Sequence, residues 1–172
     1  MRLFIAINFT RNTLTRLLEI QDDLRGQSSY GRYTHVDNMH LTLVFLGECD
    51  SRKAAAAKAA MDEIDFNPFY IAVDHIGRFR RDGGDIWWAG IRENAKLLEL
   101  QGGLAYSLAF SGFEIERRKF SPHITIGREI ITPAVPWDIK PFGEPIGRVD
   151  LMQSERIGGR LTYSPIAELM AV

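Results

Sequence analysis

Two short stretches of the sequence share a pattern of residues that could perform acid–base chemistry. HLTL (residues 40–43) and HITI (residues 123–126) each place a histidine two positions before a threonine, with apolar residues between and after. In a strand, residues two apart point to the same face, so each histidine shares a face with its threonine. One such stretch alone more often belongs to a structural histidine. Two copies in a chain of four histidines, 83 residues apart, favour a shared function.

Two facing histidines suit the cleavage of a phosphodiester. The reaction needs a base that activates the attacking oxygen and an acid that protonates the leaving oxygen, and in an in-line displacement these oxygens lie on opposite sides of phosphorus. Imidazole, with an ordinary pKa of about 6.5, can take either role near neutral pH. Threonine hydroxyls can donate hydrogen bonds to the non-bridging oxygens. The spacing of the copies therefore favours two similar lobes that bring both histidines and both threonines to one cleft.

Arg128 is a candidate for stabilising the charge of the phosphate, because a guanidinium pairs well with phosphate oxygens. It follows His123 by five residues, so in a regular strand it would point to the opposite face. It can reach the same cleft only if the strand contains a bulge or a strong twist, and Gly127 is the candidate position.

The pattern of apolar residues predicts the elements that must hold these side chains. Strands are expected at residues 2–9, 40–47, 69–77 and 85–91, in the last part of 113–130, and at 148–155 and 160–170; helices are expected to begin after Thr10 or Asn12, at Ser51 and after Asn94. Residues 27–37 and 78–85 are expected to be loops, and the proline-rich residues 132–145 a loop or an edge. Helices and strands do not alternate as in a doubly wound parallel sheet, which favours an α+β fold.

The strand at 40–47 carries an anomaly. Alternation predicts that Leu41, Leu43 and Phe45 face the core, whereas His40 and Thr42 lie on the other face. Two polar side chains on so apolar a strand need hydrogen-bond partners if they are covered. Either they find those partners within the protein, or their face opens onto a ligand.

The composition is that of one ordinary globular domain spanning residues 1–172, with 45% hydrophobic and 25% charged residues. No apolar run approaches the roughly 18 residues of a membrane span, so no membrane partner is expected. The single cysteine, Cys49, excludes an intrachain disulfide and favours a reducing cytoplasm. A formal net charge of −1 argues against a protein that coats nucleic acid non-specifically. We expect a cytoplasmic monomer.

The paired stretches resemble the H-x-T-x signatures of the 2H phosphoesterase superfamily. The wider sequence resembles its RNA 2′,3′-cyclic phosphodiesterase branch, also named the 2′-5′ RNA ligase family, over essentially the whole chain. The similar segments are RLFIAI, DNMHLTLVFLG, FSPHITIGR and the C-terminal LMQSE and LTYSPI. The chain departs from the family at Tyr33, where tryptophan is usual, and in lacking the usual aromatic residue near the C-terminus.

The resemblance implies a bilobal α+β fold, with two antiparallel-sheet lobes and outer helices around a central cleft. It implies hydrolysis of a 2′,3′-cyclic phosphate on RNA ends or nucleotides to a 2′-phosphomonoester, without metal or cofactor, and in some members reversible 2′-5′ joining of RNA ends. By the same resemblance, His40 donates a proton to the leaving oxygen and His123 accepts a proton from the attacking water. The phosphate would be bound by Thr42, Thr125 and Arg128.

Three other interpretations stay open from the sequence. A metal site is weakly supported, because no H-E-x-x-H, cysteine pair or acidic cluster accompanies the histidines. The chain could instead be a non-catalytic RNA-binding module, or a related enzyme acting on ADP-ribose cyclic phosphate or 2′-5′ oligoadenylate.

His35 and His75 are expected to be structural or on the surface, and Trp87-Trp88 to be a core residue with an exposed partner. The basic segment 78–85 is either a solvated turn or a guide for RNA.

Overall fold

The computed structural model describes all residues, 1–172, and consists of two antiparallel sheets with three helices. The strands are β1 (Arg2–Ile7), β2 (Tyr30–Tyr33), β3 (Leu41–Glu48), β4 (Phe69–Phe79), β5 (Asp85–Ile91), β6 (His123–Ile131), β7 (Trp137–Ile146), β8 (Arg148–Ile157) and β9 (Arg160–Met170). The helices are α1 (Arg11–Gly26), α2 (Ser51–Asp62) and α3 (Ala95–Phe110), and a short 3₁₀ helix spans Val36–Asn38. The predicted α+β class with two antiparallel-sheet lobes is confirmed.

Each sheet carries one of the two histidine stretches. The first sheet has the strand order β3-β1-β8-β9 and the second β2-β6-β5-β4-β7. His40 comes directly before β3, and His123 is the first residue of β6. Helix α1 packs on the second sheet, α2 and α3 pack on each other, and α3 also contacts one strand of each sheet. The helices and one shared hydrophobic core therefore fix the two sheets relative to each other.

A bulge in β3 overturns the predicted alternation of this strand. Ile5 of β1 pairs with Val44 and Ala6 pairs with Thr42, which leaves Leu43 as an extra residue. The bulge shifts the pattern by one, so that Leu43 and Val44 are both buried. Phe45 was expected in the core but is 64% exposed. It lies instead on the face of His40 and Thr42.

A second bulge lies in β6, near Gly127, where Arg128 needs a bulge to reach the cleft. Trp87 of β5 pairs with Gly127 and Trp88 pairs with Thr125, which leaves Ile126 as the extra residue. Ile126 and Gly127 are consequently both buried, and the alternation changes at this point. The bulge turns Arg128 to the face that carries Thr125.

Some local expectations were wrong. Residues 27–37 are not simply a loop, because β2 pairs with β6 and supplies an edge strand. Strand β4 continues through Phe79, so the exposed connection to β5 is shorter than the predicted 78–85. Asp50, not Ser51, caps α2, since its carboxylate accepts a hydrogen bond from the amide of Lys53. The expectation of a loop or an edge at residues 132–145 is met, because most of this segment forms the edge strand β7, where a missing amide proton costs no ladder hydrogen bond.

Two helix predictions are confirmed. Asn94 caps α3 by accepting a hydrogen bond from the amide of Leu97, and α3 runs without interruption through Gly102-Gly103. Helix α1 begins after Thr10 and ends at Gly26. None of the three helices combines the length and the apolar character that a membrane-spanning helix requires.

Candidate active site

The ring of His40 is held by hydrogen bonds at both nitrogens. Its Nδ1 lies 2.7 Å from the carbonyl oxygen of Asn38, and its Nε2 lies 2.8 Å from the hydroxyl oxygen of Thr42. A carbonyl oxygen can only accept, so Nδ1 carries the hydrogen. In the neutral ring, Nε2 then accepts a hydrogen bond from the Thr42 hydroxyl. The polar pair that seemed anomalous in the sequence therefore satisfies its own hydrogen bonds in part.

The ring of His123 is oriented in the same way on the other sheet. Its Nδ1 lies 2.6 Å from the carbonyl oxygen of Ser121, again the residue two positions earlier. Pro122 favours an extended conformation for Ser121, which sets up this local contact. In both neutral rings the hydrogen is on Nδ1, so both Nε2 atoms carry a lone pair available for proton transfer.

Aromatic side chains flank both histidines. Phe4 and Tyr163 lie with ring centroids 4.9 and 5.2 Å from that of His40. Phe79 and Trp88 lie 5.1 and 5.9 Å from His123. These rings cover the sides of each imidazole, so both histidines are half-buried.

Burial lowers the pKa of both histidines, because a covered imidazolium loses hydration. The charges of His123 and Arg128 lower the pKa of His40 further, and the charge of Arg128 also lowers that of His123. Strands β3 and β6 contact each other, which brings His40, directly before β3, together with His123 and Arg128 of β6 at one cleft between the two sheets. The hydrogen bonds to the carbonyl oxygens of Asn38 and Ser121 act to raise the two pKa values, but the net direction is downward and favours the neutral form of both imidazoles.

The remaining candidate residues offer unoccupied hydrogen-bond donors. Thr125 is half-buried, and its hydroxyl has no partner within the protein. Arg128 is exposed and forms no ion pair. Its neighbour Arg32 is different, since it pairs with Glu129 at 3.2 Å. Thr125 and Arg128 thus offer one free hydroxyl and one free guanidinium, two groups that can donate hydrogen bonds to an anion.

The other two histidines have partners outside this group. His35 contacts the guanidinium of Arg160, and its Nδ1 accepts a hydrogen bond from the amide of Asp37. His75 is bonded through Nδ1 to the carboxylate of Asp74 at 2.6 Å. No three His, Cys, Asp or Glu side chains are grouped so that they could hold a metal ion.

Sequence reasoning missed the aromatic surroundings of the histidines. Tyr163, in the last strand, contacts His40, a contact that the sequence alone did not assign to the LTYSPI segment. Trp87 is fully buried, as expected, whereas its partner Trp88 is half-buried against His123 and Phe79. Alternation in β4 and β5 could have placed Phe79 and Trp88 on one face, but only the sheet order brings them to His123.

Asn38 positions His40 through its own backbone, and its side chain secures that backbone. The amide nitrogen Nδ2 donates to the carbonyl oxygen of Leu161 at 3.1 Å, which ties the 3₁₀ helix to β9. We expect Asn38→Ala to loosen the carbonyl that holds Nδ1 and to cost about 1 kcal/mol of stability. The hydrogen bond from His40 Nδ1 to the carbonyl oxygen of Asn38 raises the pKa of His40, so weakening this bond should lower that pKa further.

The Asn38→Ala prediction can be checked by titrating the imidazole resonances of His40 by NMR, together with thermal unfolding. Asn12→Ala is the matched control, because Asn12 is exposed on α1 and its side chain makes no hydrogen bond. An unchanged His40 titration in Asn38→Ala would show that the Asn38–Leu161 contact does not position the ring.

Comparison with known proteins places the chain in a defined group. The sequence model of the family described as LigT like Phosphoesterase matches residues 8–88, which contain His40 and Thr42. The RNA 2′,3′-cyclic phosphodiesterase of Thermotoga maritima is 35% identical over 131 residues, covering 74% of this chain and 70% of the relative. The enzyme of the same name from Archaeoglobus fulgidus is 31% identical over 129 residues, covering 74% and 72%.

Solved structures share the whole architecture. The crystal structure of E. coli LigT complexed with 3′-AMP superposes with a TM-score of 0.86 at 26% identity, over 99% of this chain and 97% of that one. The crystal structure of TT0787 from Thermus thermophilus gives a TM-score of 0.84 at 25% identity, with the same coverage. The fold of this chain is therefore shared with these solved structures over nearly its whole length.

Proposed function

Because this chain belongs to the family of LigT-like phosphoesterases, we propose that it hydrolyses the 2′,3′-cyclic phosphate of RNA ends or nucleotides to a 2′-phosphomonoester. The observation that carries the proposal is the equivalent orientation of His40 and His123. Each is fixed through Nδ1 by the carbonyl two residues earlier, which leaves Nε2 as the atom that can exchange a proton with a substrate. We further propose that residues 1–172 act as one catalytic domain.

The two histidines divide the proton transfers between them. The neutral Nε2 of His123 takes a proton from water as the water oxygen attacks phosphorus. The bond between phosphorus and the 3′ oxygen breaks, and the protonated Nε2 of His40 gives its proton to that oxygen. The product is a 2′-phosphomonoester with a free 3′ hydroxyl. Both histidines have exchanged their protonation states, and proton exchange with solvent restores them.

Thr42 links the protonation of His40 to phosphate binding. In the neutral state its hydroxyl donates to Nε2 of His40. Once Nε2 is protonated it becomes the donor, the Thr42 oxygen accepts, and the hydroxyl hydrogen is free to donate to a non-bridging phosphate oxygen. The phosphate anion in turn stabilises the imidazolium, so substrate binding favours the acid form of His40.

Thr125 and Arg128 complete the phosphate site. The Thr125 hydroxyl and the Arg128 guanidinium have no partner within the protein, so a phosphate oxygen displaces no internal bond when it binds them. A guanidinium directed at the oxygens stabilises the negative charge that grows as water attacks. The mechanism assigns no step to a metal ion or cofactor.

Ligation would use the same groups in a related reaction. If the 5′ hydroxyl of a second RNA replaces water, His123 removes its proton and the product is a 2′-5′ phosphodiester. We propose this as a secondary activity. Of the other substrates, ADP-ribose cyclic phosphate and 2′-5′ oligoadenylate differ in the groups beyond the phosphate, so the histidine pair does not discriminate among them.

The proposal is tested by supplying an oligonucleotide with a 2′,3′-cyclic phosphate end in the presence of EDTA. We expect turnover to a product that ³¹P NMR identifies as a 2′-phosphomonoester, and a faster rate than with ADP-ribose cyclic phosphate or 2′-5′ oligoadenylate. Adding an RNA with a 5′ hydroxyl tests for the 2′-5′ linkage. Binding of the oligonucleotide without turnover would favour the non-catalytic RNA-binding module, and loss of turnover in EDTA would favour a metal enzyme.

The pH dependence of kcat/KM for 2′,3′-cyclic AMP should be bell-shaped, and its maximum should lie at a lower pH than the ordinary histidine pKa would give. Activity falls at low pH as His123 is protonated and at high pH as His40 loses its proton. Burial lowers the pKa of both histidines, so the apparent pKa values that define the two limbs should both lie below the ordinary value of about 6.5. Because the two groups interact, these apparent values belong to the pair. The profile of kcat should lie at higher pH, because the bound phosphate raises both pKa values. A kcat/KM profile whose limbs both lie above the ordinary value would contradict this account of the site.

A further inference from the structure

A row of unpartnered donors continues from His40 along the first sheet. Arg2 of β1 pairs with Ser154 of β8, and Ser154 pairs with Tyr163 of β9, so the three residues lie side by side on one face. Tyr163 contacts His40, and Phe4, which is on the same face as Arg2, contacts both. We name this set the Arg2 row (Arg2, Ser154 and Tyr163).

The polar groups of the Arg2 row have nothing to bind within the protein. The guanidinium of Arg2 is exposed and forms no ion pair, and neither the Ser154 nor the Tyr163 hydroxyl makes a hydrogen bond. Glu48, opposite Arg2 on β3, is instead paired with the amino group of Met1 at 3.3 Å. The row therefore retains its positive charge.

Tyr163 connects the row to the proposed phosphate site, because its ring contacts that of His40. Burial raises the pKa of Tyr163, while the guanidinium groups of Arg128 and Arg2 both act to lower it. Arg2 lies two strands from Tyr163, about 10 Å at the usual strand spacing, so its guanidinium is offset along the sheet from the ring that contacts His40.

Resting on the proposed function, we propose that the Arg2 row binds the phosphate that precedes the terminal nucleotide in an RNA strand. A nucleotide with a cyclic end has only the scissile phosphate, whereas an oligonucleotide carries a second anion one nucleotide away. Two hydroxyls and a guanidinium suit a phosphodiester anion, which accepts hydrogen bonds and carries one charge. The row would make RNA ends better substrates than mononucleotides.

The test compares two dinucleotides that end in 2′,3′-cyclic phosphate, one with a normal internal phosphodiester and one with a neutral methylphosphonate in its place. For the unmodified protein, kcat/KM should be about tenfold higher with the phosphodiester. Arg2→Gln should reduce this ratio to nearly one and should make the dependence of log(kcat/KM) on log[salt] shallower by about 0.7. Since Arg2 is exposed and unpaired, thermal unfolding should be unaltered.

Two charge-matched variants serve as controls. Arg81→Gln removes a guanidinium without an ion pair on the other sheet, over the ring of Phe79, and Arg52→Gln removes one on α2. Both should keep the tenfold ratio. If all three variants lost the tenfold ratio equally, the overall positive charge of the protein and not the Arg2 row would attract the RNA. If only Arg81→Gln lost the ratio, the RNA would run along the other sheet. Either result overturns the proposal. Because 2′,3′-cyclic AMP is measured in parallel, failure to hydrolyse any cyclic phosphate would instead refute the proposed function.

Discussion

Replacing His40 or His123 with alanine is expected to reduce hydrolysis of 2′,3′-cyclic AMP by about 10²–10⁴-fold in each case. Each change removes one of the two proton transfers and leaves the other histidine and the phosphate donors in place. The two histidines serve one displacement step, so the double variant should lose much less than the product of the single losses. Steady-state kinetics of the three variants at the optimum pH of the unmodified protein test this expectation.

Folding is the necessary control for these variants. His40 packs on Phe4 and Tyr163, and His123 on Phe79 and Trp88, so truncation also removes contacts. His40→Gln and His123→Gln keep much of the side-chain volume and should be as inactive as the alanine variants. His35→Asn removes an exposed imidazole outside the cleft but keeps a side-chain acceptor for the amide of Asp37, so it should retain full activity. Full activity in His40→Ala would refute the assignment.

Replacing Arg128 with glutamine is expected to lower kcat by about 10²–10³-fold, the range found when a donor to a developing oxyanion is removed. The change has a second expected result that is independent of activity. The positive charge of Arg128 lowers the pKa of both His40 and His123, so its removal should raise both values. NMR titration of the two imidazoles measures this directly in the absence of substrate.

Arg32→Gln is the matched control for the Arg128 variant. Arg32 pairs with Arg128 across β2 and β6, but its guanidinium is bonded to Glu129. Its removal should leave both the rate and the histidine titrations unchanged. If Arg128→Gln left the two pKa values where they were, the guanidinium would lie outside the cleft, and its role in phosphate binding would have to be abandoned.

The candidate residues of the cleft can be recognised in the sequence because their pattern is local. The repeated histidine and threonine, two residues apart on strands, can be recognised without knowing how the strands are arranged. The contact that fixes each ring is also local, since His40 and His123 bind the carbonyl two residues earlier. The position of Arg128 indicated that it could face the cleft only if the strand contained a bulge or twist, and the structure has a bulge at Ile126, beside Gly127.

Features that depend on strand pairing could not be predicted in this way. The bulge in β3 adds Leu43 without any glycine or proline to mark it, so Phe45 was wrongly assigned to the core. Strand β2 is four residues long and forms only because β6 offers an unpaired edge. Tyr163 lies 123 residues from His40 in the chain, and only the sheet order β3-β1-β8-β9 brings the two rings together.

The division of roles between the two histidines is the central claim, and a substrate with a better leaving group tests it most directly. In a 2′,3′-cyclic phosphate whose bridging 3′ oxygen is replaced by sulfur, the leaving thiolate needs no proton, because a thiol has a pKa of only about 8.5. The account predicts that His40→Ala regains nearly the unmodified rate on this substrate, whereas His123→Ala stays inactive. Recovery of His123→Ala instead, or equal defects of both variants on both substrates, would contradict it.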